Sequence, residues 1–286
     1  MAKQVQVAKA EAFRRMHDRR RILLLPNAWD AASARIFENA GFGAIATTSA
    51  GLSYTAGYPD GEAIPREDMV TIVRWIARSV ATPVTADIES GFGQTAREVG
   101  ETVRMVIEAG AVGINLEDTT HGAERQLYDL PVAVERIRAA RAAAEAAGVP
   151  IVINGRTDVY LLAVGDQASR FDHAVRRLNA YREAGADCMF PIGYLDSQTI
   201  SALAKAINGP INVIGVPGTP SVAELESLGV ARVSTASGPA RIAMTAIQKL
   251  AAELAHKGSF DIFAGDTITH QAANGLMSRS GQGPQQ

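Results

Sequence analysis

Short apolar runs recur along the whole chain, each followed by turn residues and then by a segment with helical spacing. The runs occupy positions 22–26, 43–47, 83–86, 112–116, 150–154, 187–191, 211–215 and 231–235. They are too short for helices and lack the strict alternation of a half-buried strand, as expected of parallel strands covered on both faces. Between them, 66–80, 95–109, 132–147 and 167–184 read as amphipathic helices, and Val99, Val103, Val106 and Ile107 share one face of the second. Gly110, Gly148 and Gly185 each follow a last helical position, where a left-handed cap is wanted. The phrase Glu-Ala-Gly-Ala, at Glu108 and again at Glu183, is punctuation between helix and strand rather than the mark of a repeat protein.

Eight such runs alternating with helices, with no linker or shift in composition, predict an α/β fold: a single (β/α)8 TIM barrel. An open doubly wound sheet has the same periodicity; strand count and chain length favour the barrel. The expected layout is one barrel domain over 1–286. It has a helical lead-in at 1–20, the barrel proper at 21–238, C-terminal helices at 239–277, and a disordered tail rich in Gly and Gln at 278–286.

Composition narrows the partners. With 47% hydrophobic and 20% charged residues the 286-residue chain reads as an ordinary soluble globular protein. A net charge of -2 gives no footprint for nucleic acid or for an anionic membrane surface. No stretch approaches the ~18 apolar residues of a membrane span, and the polar, basic N-terminus has no signal core. Cys188 is the only cysteine, so no intramolecular disulfide can form. Its apolar surroundings in sequence suit a reduced compartment, and a cytoplasmic location is expected.

In a barrel, chemistry lies at the C-terminal ends of the strands. The first run leads into Asn27-Ala-Trp-Asp30, where Asp30 suits a helix N-cap, and the second into Thr47-Thr-Ser49-Ala50-Gly51, a small-residue turn able to hold a carboxylate. The third ends in Asp87-Ile-Glu89, the fourth in Glu117-Asp118 and the fifth in Gly155-Arg156-Thr-Asp158. Strand alternation puts Asp87 and Glu89 on one side. Acids on neighbouring strands suit a hard cation that keeps several waters, and an arginine beside them suits an anionic ligand. Five histidines without a His-x-x-x-His helix make zinc a poor fit. Gly91-Phe-Gly93-Gln-Thr-Ala96 imitates a dinucleotide fingerprint, but it follows the third strand rather than the first, and two acids before it would repel a pyrophosphate.

At these residues the chain resembles the isocitrate lyase/phosphoenolpyruvate mutase superfamily over about 24–240. The matching phrases are Thr48-Ser49-Ala50-Gly51, Gly57-Tyr-Pro-Asp60-Gly, Ala86-Asp87-Ile-Glu89-Ser-Gly-Phe-Gly93, Asn115-Leu-Glu117-Asp118 and Gly155-Arg156-Thr-Asp158. The resemblance implies a Mg²⁺-dependent barrel, with Mn²⁺ as the alternative cation, acting on small 2-oxo or 2-hydroxy acids through an enolate. It implies Asp87 as the direct metal ligand, with Asp60, Glu89 and Glu117 joined to the ion through waters. Ser49 and the backbone of Ala50 and Gly51 are implied as the cradle of the substrate carboxylate, and Arg156 as its second anchor. The segment 57–61 would be a flap over the site. Family members exchange a C-terminal helix between subunits, which implies a homodimer or homotetramer.

One departure stands out. Isocitrate and methylisocitrate lyases carry Lys-Lys/Arg-Cys-Gly-His after the fourth strand, with the cysteine as general acid. Here the loop reads Thr119-Thr-His121-Gly-Ala-Glu124-Arg125-Gln126-Leu-Tyr128, and neither Gln126 nor Cys188 on the sixth run replaces that acid. The lysine- and asparagine-bearing loop of phosphonate-forming mutases is missing too. His121, Arg125 or Tyr128 are the candidates for acid/base or gating duty, although each is more often a solvated loop residue. The expectation is a Mg²⁺-dependent lyase or decarboxylase for a small 2-oxo or 2-hydroxy dicarboxylic acid. The alternatives are a C–P bond enzyme acting on phosphonopyruvate or phosphoenolpyruvate, and a catalytically silent dicarboxylate binder.

Overall fold

Pro26 has no N–H to give a ladder, and in the computed structural model it splits the first barrel strand into β1 (Leu23–Leu25) and β2 (Asn27–Ala28). The structure describes residues 2–18, 21–122 and 124–278. The remaining strands are β3 (Ile45–Thr47), β4 (Val84–Asp87), β5 (Gly113–Glu117), β6 (Val152–Thr157), β7 (Cys188–Pro191), β8 (Asn212–Ile214) and β9 (Arg232–Ser234). All pairings between them are parallel, in the orders β2-β3-β4-β5-β6-β7 and β1-β9-β8. A parallel bridge between Met189 and Ile211 joins the two sheets on one side, and the continuity of chain through Pro26 joins them on the other. The sheet therefore closes, and the open-sheet alternative falls away.

Helices α2 (Ala31–Asn39), α3 (Ser49–Thr55), α4 (Arg66–Ser79), α5 (Ala96–Glu108), α6 (Leu130–Ala147), α7 (Arg170–Glu183), α8 (Ser197–Ala206) and α9 (Val222–Ser227) follow the strands. They start and stop where local chemistry dictates. Asp30 caps α2 and Thr95 caps α5, each in a reciprocal capping box. Gly110, Gly148 and Gly185 have φ of +106°, +64° and +110° beyond α5, α6 and α7, as their positions predict. The G-x-G-x-x-A phrase has a packing cause: a Cβ on Gly93 would lie 2.3 Å from Cβ of Glu98, so the turn fits against α5 only without a side chain.

The lead-in is α1 (Ala2–Arg15), which covers the N-terminal end of the barrel. Phe13 is fully buried there, with its ring where a side chain on Gly113 would have to go. The strands carry buried apolar side chains outward, as expected, but the interior is more polar than apolar runs suggest. Thr85, Asn115, Asn154, Asn212, Arg232 and Ser234 are all buried within it.

Beyond β9, α10 (Gly238–His256), a 3-10 turn (Asp261–Ala264) and α11 (His270–Met277) complete the described chain. Only Ala240 of α10 is buried, while Ile242 and Ile247 are 74% and 64% exposed. The proposed tail lies outside the described residues except for Ser278. Among the described residues no helix is long and apolar enough to cross a membrane.

Candidate active site

The C-terminal strand ends gather most of the predicted residues around one cavity of about 180 Å³. Ser49, Asp60, Glu89, Glu117, His121, Arg125 and Arg156 all line it. Asp87 lies at the edge of a second, smaller cavity inside the barrel that shares Arg156 with the first. Ala50 and Gly51 are buried in the first turn of α3 behind Ser49. Gly51 is required by packing, since a Cβ would come within 2.6 Å of both Trp29 and Thr48. A surface depression of about 860 Å³ beside α1, α5 and α6 is remote from the strand ends, and four of its charged side chains pair as Arg97–Glu101 and Arg104–Glu108.

Asp87 is held as an acceptor of fixed direction. Its Oδ2 accepts from the Ser49 backbone N–H at 3.0 Å and its Oδ1 from the Asn115 amide at 2.8 Å. Thr47 Oγ1 accepts from the Asp87 N–H at 2.8 Å, fixing the backbone as well. Glu89 reaches the site by a different route from strand alternation. β4 ends at Asp87, and Glu89 takes a left-handed conformation with φ +50° in the turn beyond it. A turn, not the strand pleat that alternation predicts, aims Glu89 at the cavity. Such a conformation costs about 1–3 kcal/mol for a non-glycine residue, a cost found mainly where function fixes the backbone.

Glu89 Oε2 accepts from the Glu62 N–H at 2.8 Å, whereas its buried Oε1 has no hydrogen-bond partner among the described residues. Burial, followed by the charges of Glu117, Asp60 and Asp87, pushes the Glu89 carboxyl up to about 9. Burial likewise drives Glu117 up to about 7, against the opposing pull of Arg156. Asp60 is raised by burial and by Asp87, with the Ser49 hydroxyl partly offsetting both. Four carboxyl groups thus share a space too poor in positive charge to keep all of them ionised.

Arg156 is the fixed cation among them. Its Nε and Nη2 donate to the two oxygens of Asp158 at 2.6 and 3.0 Å, and its Nη1 lies 2.7 Å from Glu117 Oε2. These anions more than offset its burial and hold its pKa above the ordinary value. Three of the five guanidinium N–H groups are used this way, leaving two for a ligand. Asp158 is itself fully buried, and its N–H donates to Asp118. Asp118 also accepts from Thr157, Arg177 and Tyr181, so it is the centre of a buried support rather than a lining residue.

Two loops close the rim. His121 is drawn in from the loop after β5, with Nε2 3.3 Å from Glu117 and 3.6 Å from Glu89. Burial opposes its protonation, but Glu117 outweighs burial and raises its pKa. Arg125 is 3.7 Å from Asp158 and its side chain is 47% exposed, so it faces the cavity from the solvent side. Tyr128 does not reach the site: its ring lies under the Arg136 guanidinium at 4.4 Å. The segment holding Asp60 is strapped down by Glu62, whose carboxylate accepts from Ser90 Oγ at 2.7 Å and Phe92 N–H at 2.9 Å. Glu62, Asn115 and Asp158 have no role predicted from the sequence; Glu62 is one more acid directly after the 57–61 flap.

Among the described residues no three Asp, Glu, His or Cys side chains converge as a closed metal cage. The donor set suits a different arrangement: one pre-oriented carboxylate, Asp87, with Asp60, Glu89 and Glu117 around the adjoining cavity, the kind of set that suits a hard cation keeping several waters. The partnerless Oε1 of Glu89 and the raised Glu89, Glu117 and Asp60 fit a hard divalent ion.

A closed parallel barrel with an acid-lined strand-end site and a clamped arginine defines a class of small-acid enzymes, and comparison with known proteins agrees with it. The family model described as phosphoenolpyruvate phosphomutase matches residues 13–255, and the chain belongs to that family. Over 233 residues it is 32% identical to 2-methylisocitrate lyase of Escherichia coli (strain K12), covering 77% of this chain and 76% of that protein. Over 218 residues it is 32% identical to oxaloacetate decarboxylase of Bradyrhizobium sp. (strain BTAi1), covering 73% and 72%. The crystal structure of a Burkholderia cenocepacia protein described as a candidate lyase/mutase matches with a TM-score of 0.89 at 38% identity, over 97% of this chain and 98% of that one.

Proposed function

We propose that the protein is a Mg²⁺-dependent carbon–carbon lyase or decarboxylase for a small 2-oxo or 2-hydroxy dicarboxylic acid. The observation that carries this reading is the set Asp60, Asp87, Glu89 and Glu117 beside a clamped Arg156, with one buried carboxylate oxygen left without a partner. Mg²⁺, or Mn²⁺ in its place, would be held directly by Asp87 and through waters by Asp60, Glu89 and Glu117, and when bound it supplies an electron sink for an enolate. Two free N–H groups of Arg156 orient the substrate carboxylate or oxo oxygen, and Ser49 with the start of α3 faces its other side. His121 stands against Glu117 and Glu89, placed to hold or deliver the proton that a loop cysteine supplies in methylisocitrate lyases. Arg125, on the open side, meets the far carboxylate.

Similarity to a methylisocitrate lyase and to an oxaloacetate decarboxylase supports small carboxylic acids as the substrate class. The match to a phosphomutase family model supports a second reading, cleavage or rearrangement of a C–P bond. A panel of oxaloacetate, substituted malates and phosphonopyruvate, followed by NMR with Mg²⁺ present, separates them. New carbon products from the first two support the lyase reading, phosphate release from phosphonopyruvate supports the second, and no turnover of any member would leave a silent binder.

We also propose a homodimer or homotetramer. The support is an α10 with a single buried residue, exposed Phe260, Phe263 and Ile268 beyond it, and the uncovered outward side chain of Leu24 on β1.

A further inference from the structure

Inside the barrel, beneath Asp87, one cation has no use in the chemistry above. Arg232 on β9 is 2% exposed, and its Nε and Nη1 have no hydrogen-bond partner among the described residues. It lines a cavity of about 40 Å³ together with Thr85, Asn115, Asn154, Asn212 and Ser234. Thr85 Oγ1 and Asn154 Oδ1, on the same walls, also lack partners. On α1, Phe13 and His17 are buried nearby, and the Arg232 charge helps hold the His17 pKa down.

An unpaired guanidinium taken out of water is strongly destabilising unless a counter-charge accompanies it. The attractive groups within reach are Cys188 and Asp87. Both oxygens of Asp87 already accept hydrogen bonds, from Ser49 and Asn115, and among the described residues no hydrogen bond or ion pair joins Asp87 to Arg232. Water alone would satisfy the polar atoms but not the charge. The space amounts to about three water-sized positions, too little for a dicarboxylate but enough for one compact anion with accompanying water. Three N–H groups of Arg232, on Nε and Nη1, and the Thr85 hydroxyl are donors for an anion, and a water can donate to Asn154 Oδ1.

We propose that Arg232 holds a small monovalent inorganic anion, of the size of chloride, inside the barrel. The site stands at the end of a hydrogen-bond chain in which Asn154 donates to Asn115 at 2.9 Å and Asn115 donates to Asp87 at 2.8 Å. An occupied site would therefore stiffen the support of Asp87 from below.

The test is thermal unfolding of the full chain at constant ionic strength, with chloride or bromide exchanged for gluconate, which is too large to enter. The expected result is a saturable rise of roughly 2–3 °C at tenfold saturation, absent in Arg232→Met and present in Cys188→Ser. Bromide in crystals of the unaltered protein should give an anomalous peak against the Arg232 guanidinium, a readout that stands even if Arg232→Met does not fold. Equal stability in halide and gluconate, with no peak, would overturn the proposal. So would a thiolate absorbance near 240 nm that vanishes in Arg232→Met, since Cys188 would then supply the counter-charge.

Discussion

Glu89→Gln should make the metal-free protein more stable in alkaline solution while weakening its hold on the cation. The Glu89 carboxyl is pushed up to about 9 from an ordinary 4.5. Between those values the folded protein keeps a proton that the unfolded chain has released, so stability falls as pH rises. The contribution is complete below about pH 4.5 and is lost on the way to about 9. Each pH unit in that window is worth about 1.4 kcal/mol for a fully held proton. From pH 5 to pH 8 the upper bound is therefore about 4 kcal/mol, and because Glu89 and Glu117 titrate together about half is a realistic share, ~2 kcal/mol. For a chain of this size that is roughly 3–4 °C in Tm. Glutamine keeps the acceptor for the Glu62 N–H but cannot ionise. Unfolding scans in EDTA should show the wild-type midpoint falling over this range and the variant falling less than half as far, the remainder coming from Glu117 and His121. Saturating Mg²⁺ should raise the wild-type midpoint most at pH 8 and the variant's little. Parallel curves for the two proteins in EDTA would refute the account of crowded carboxyls.

Three further outcomes follow from the geometry. Asp118→Asn removes the charge from the buried centre that takes Arg177, Tyr181, Thr157 and the Asp158 N–H, and chemical unfolding should show a loss of about 3–5 kcal/mol. Glu62→Ala frees the strap between the Asp60 segment and the Ser90–Phe92 turn, and Mn²⁺ binding followed by electron paramagnetic resonance should weaken roughly tenfold, the equivalent of one charge-assisted contact, with the fold's circular dichroism unchanged. Ending the chain after Gly258 removes Phe260, Phe263 and Ile268, and sedimentation should show smaller assemblies; an unchanged profile would count against exchange of this segment.

The barrel was readable from the chain because its determinants are local. Eight apolar runs, Asp30 as an N-cap and three cap glycines each announce themselves within a few residues. Closure was not readable, since it depends on β9 meeting β1 and on the Met189–Ile211 bridge, contacts that no local pattern encodes. The site divides in the same way. Asp87, Glu117 and Arg156 were visible because barrel strand ends follow from the runs, and Glu89 was visible for the wrong geometric reason. His121 was not legible as a buried group, because only the fold of its loop brings it to Glu117. Asp158 was quoted as part of a phrase, yet its work of gripping Arg156 in a bidentate clamp needed coordinates. The polar barrel interior was missed because Asn154 and Arg232 stand at strand positions where only the direction of the side chain tells inside from outside.

The central claim is a cation-dependent seat for the two-carbon oxo-acid unit at Asp87 and Arg156, and calorimetric titration with oxalate, a mimic of the pyruvate enolate, tests it most directly. Oxalate should bind the wild-type protein in Mg²⁺, fail to bind in EDTA, and fail to bind Asp87→Asn in either condition. Binding of equal strength in EDTA, or undiminished binding by Asp87→Asn in Mg²⁺, would contradict the account.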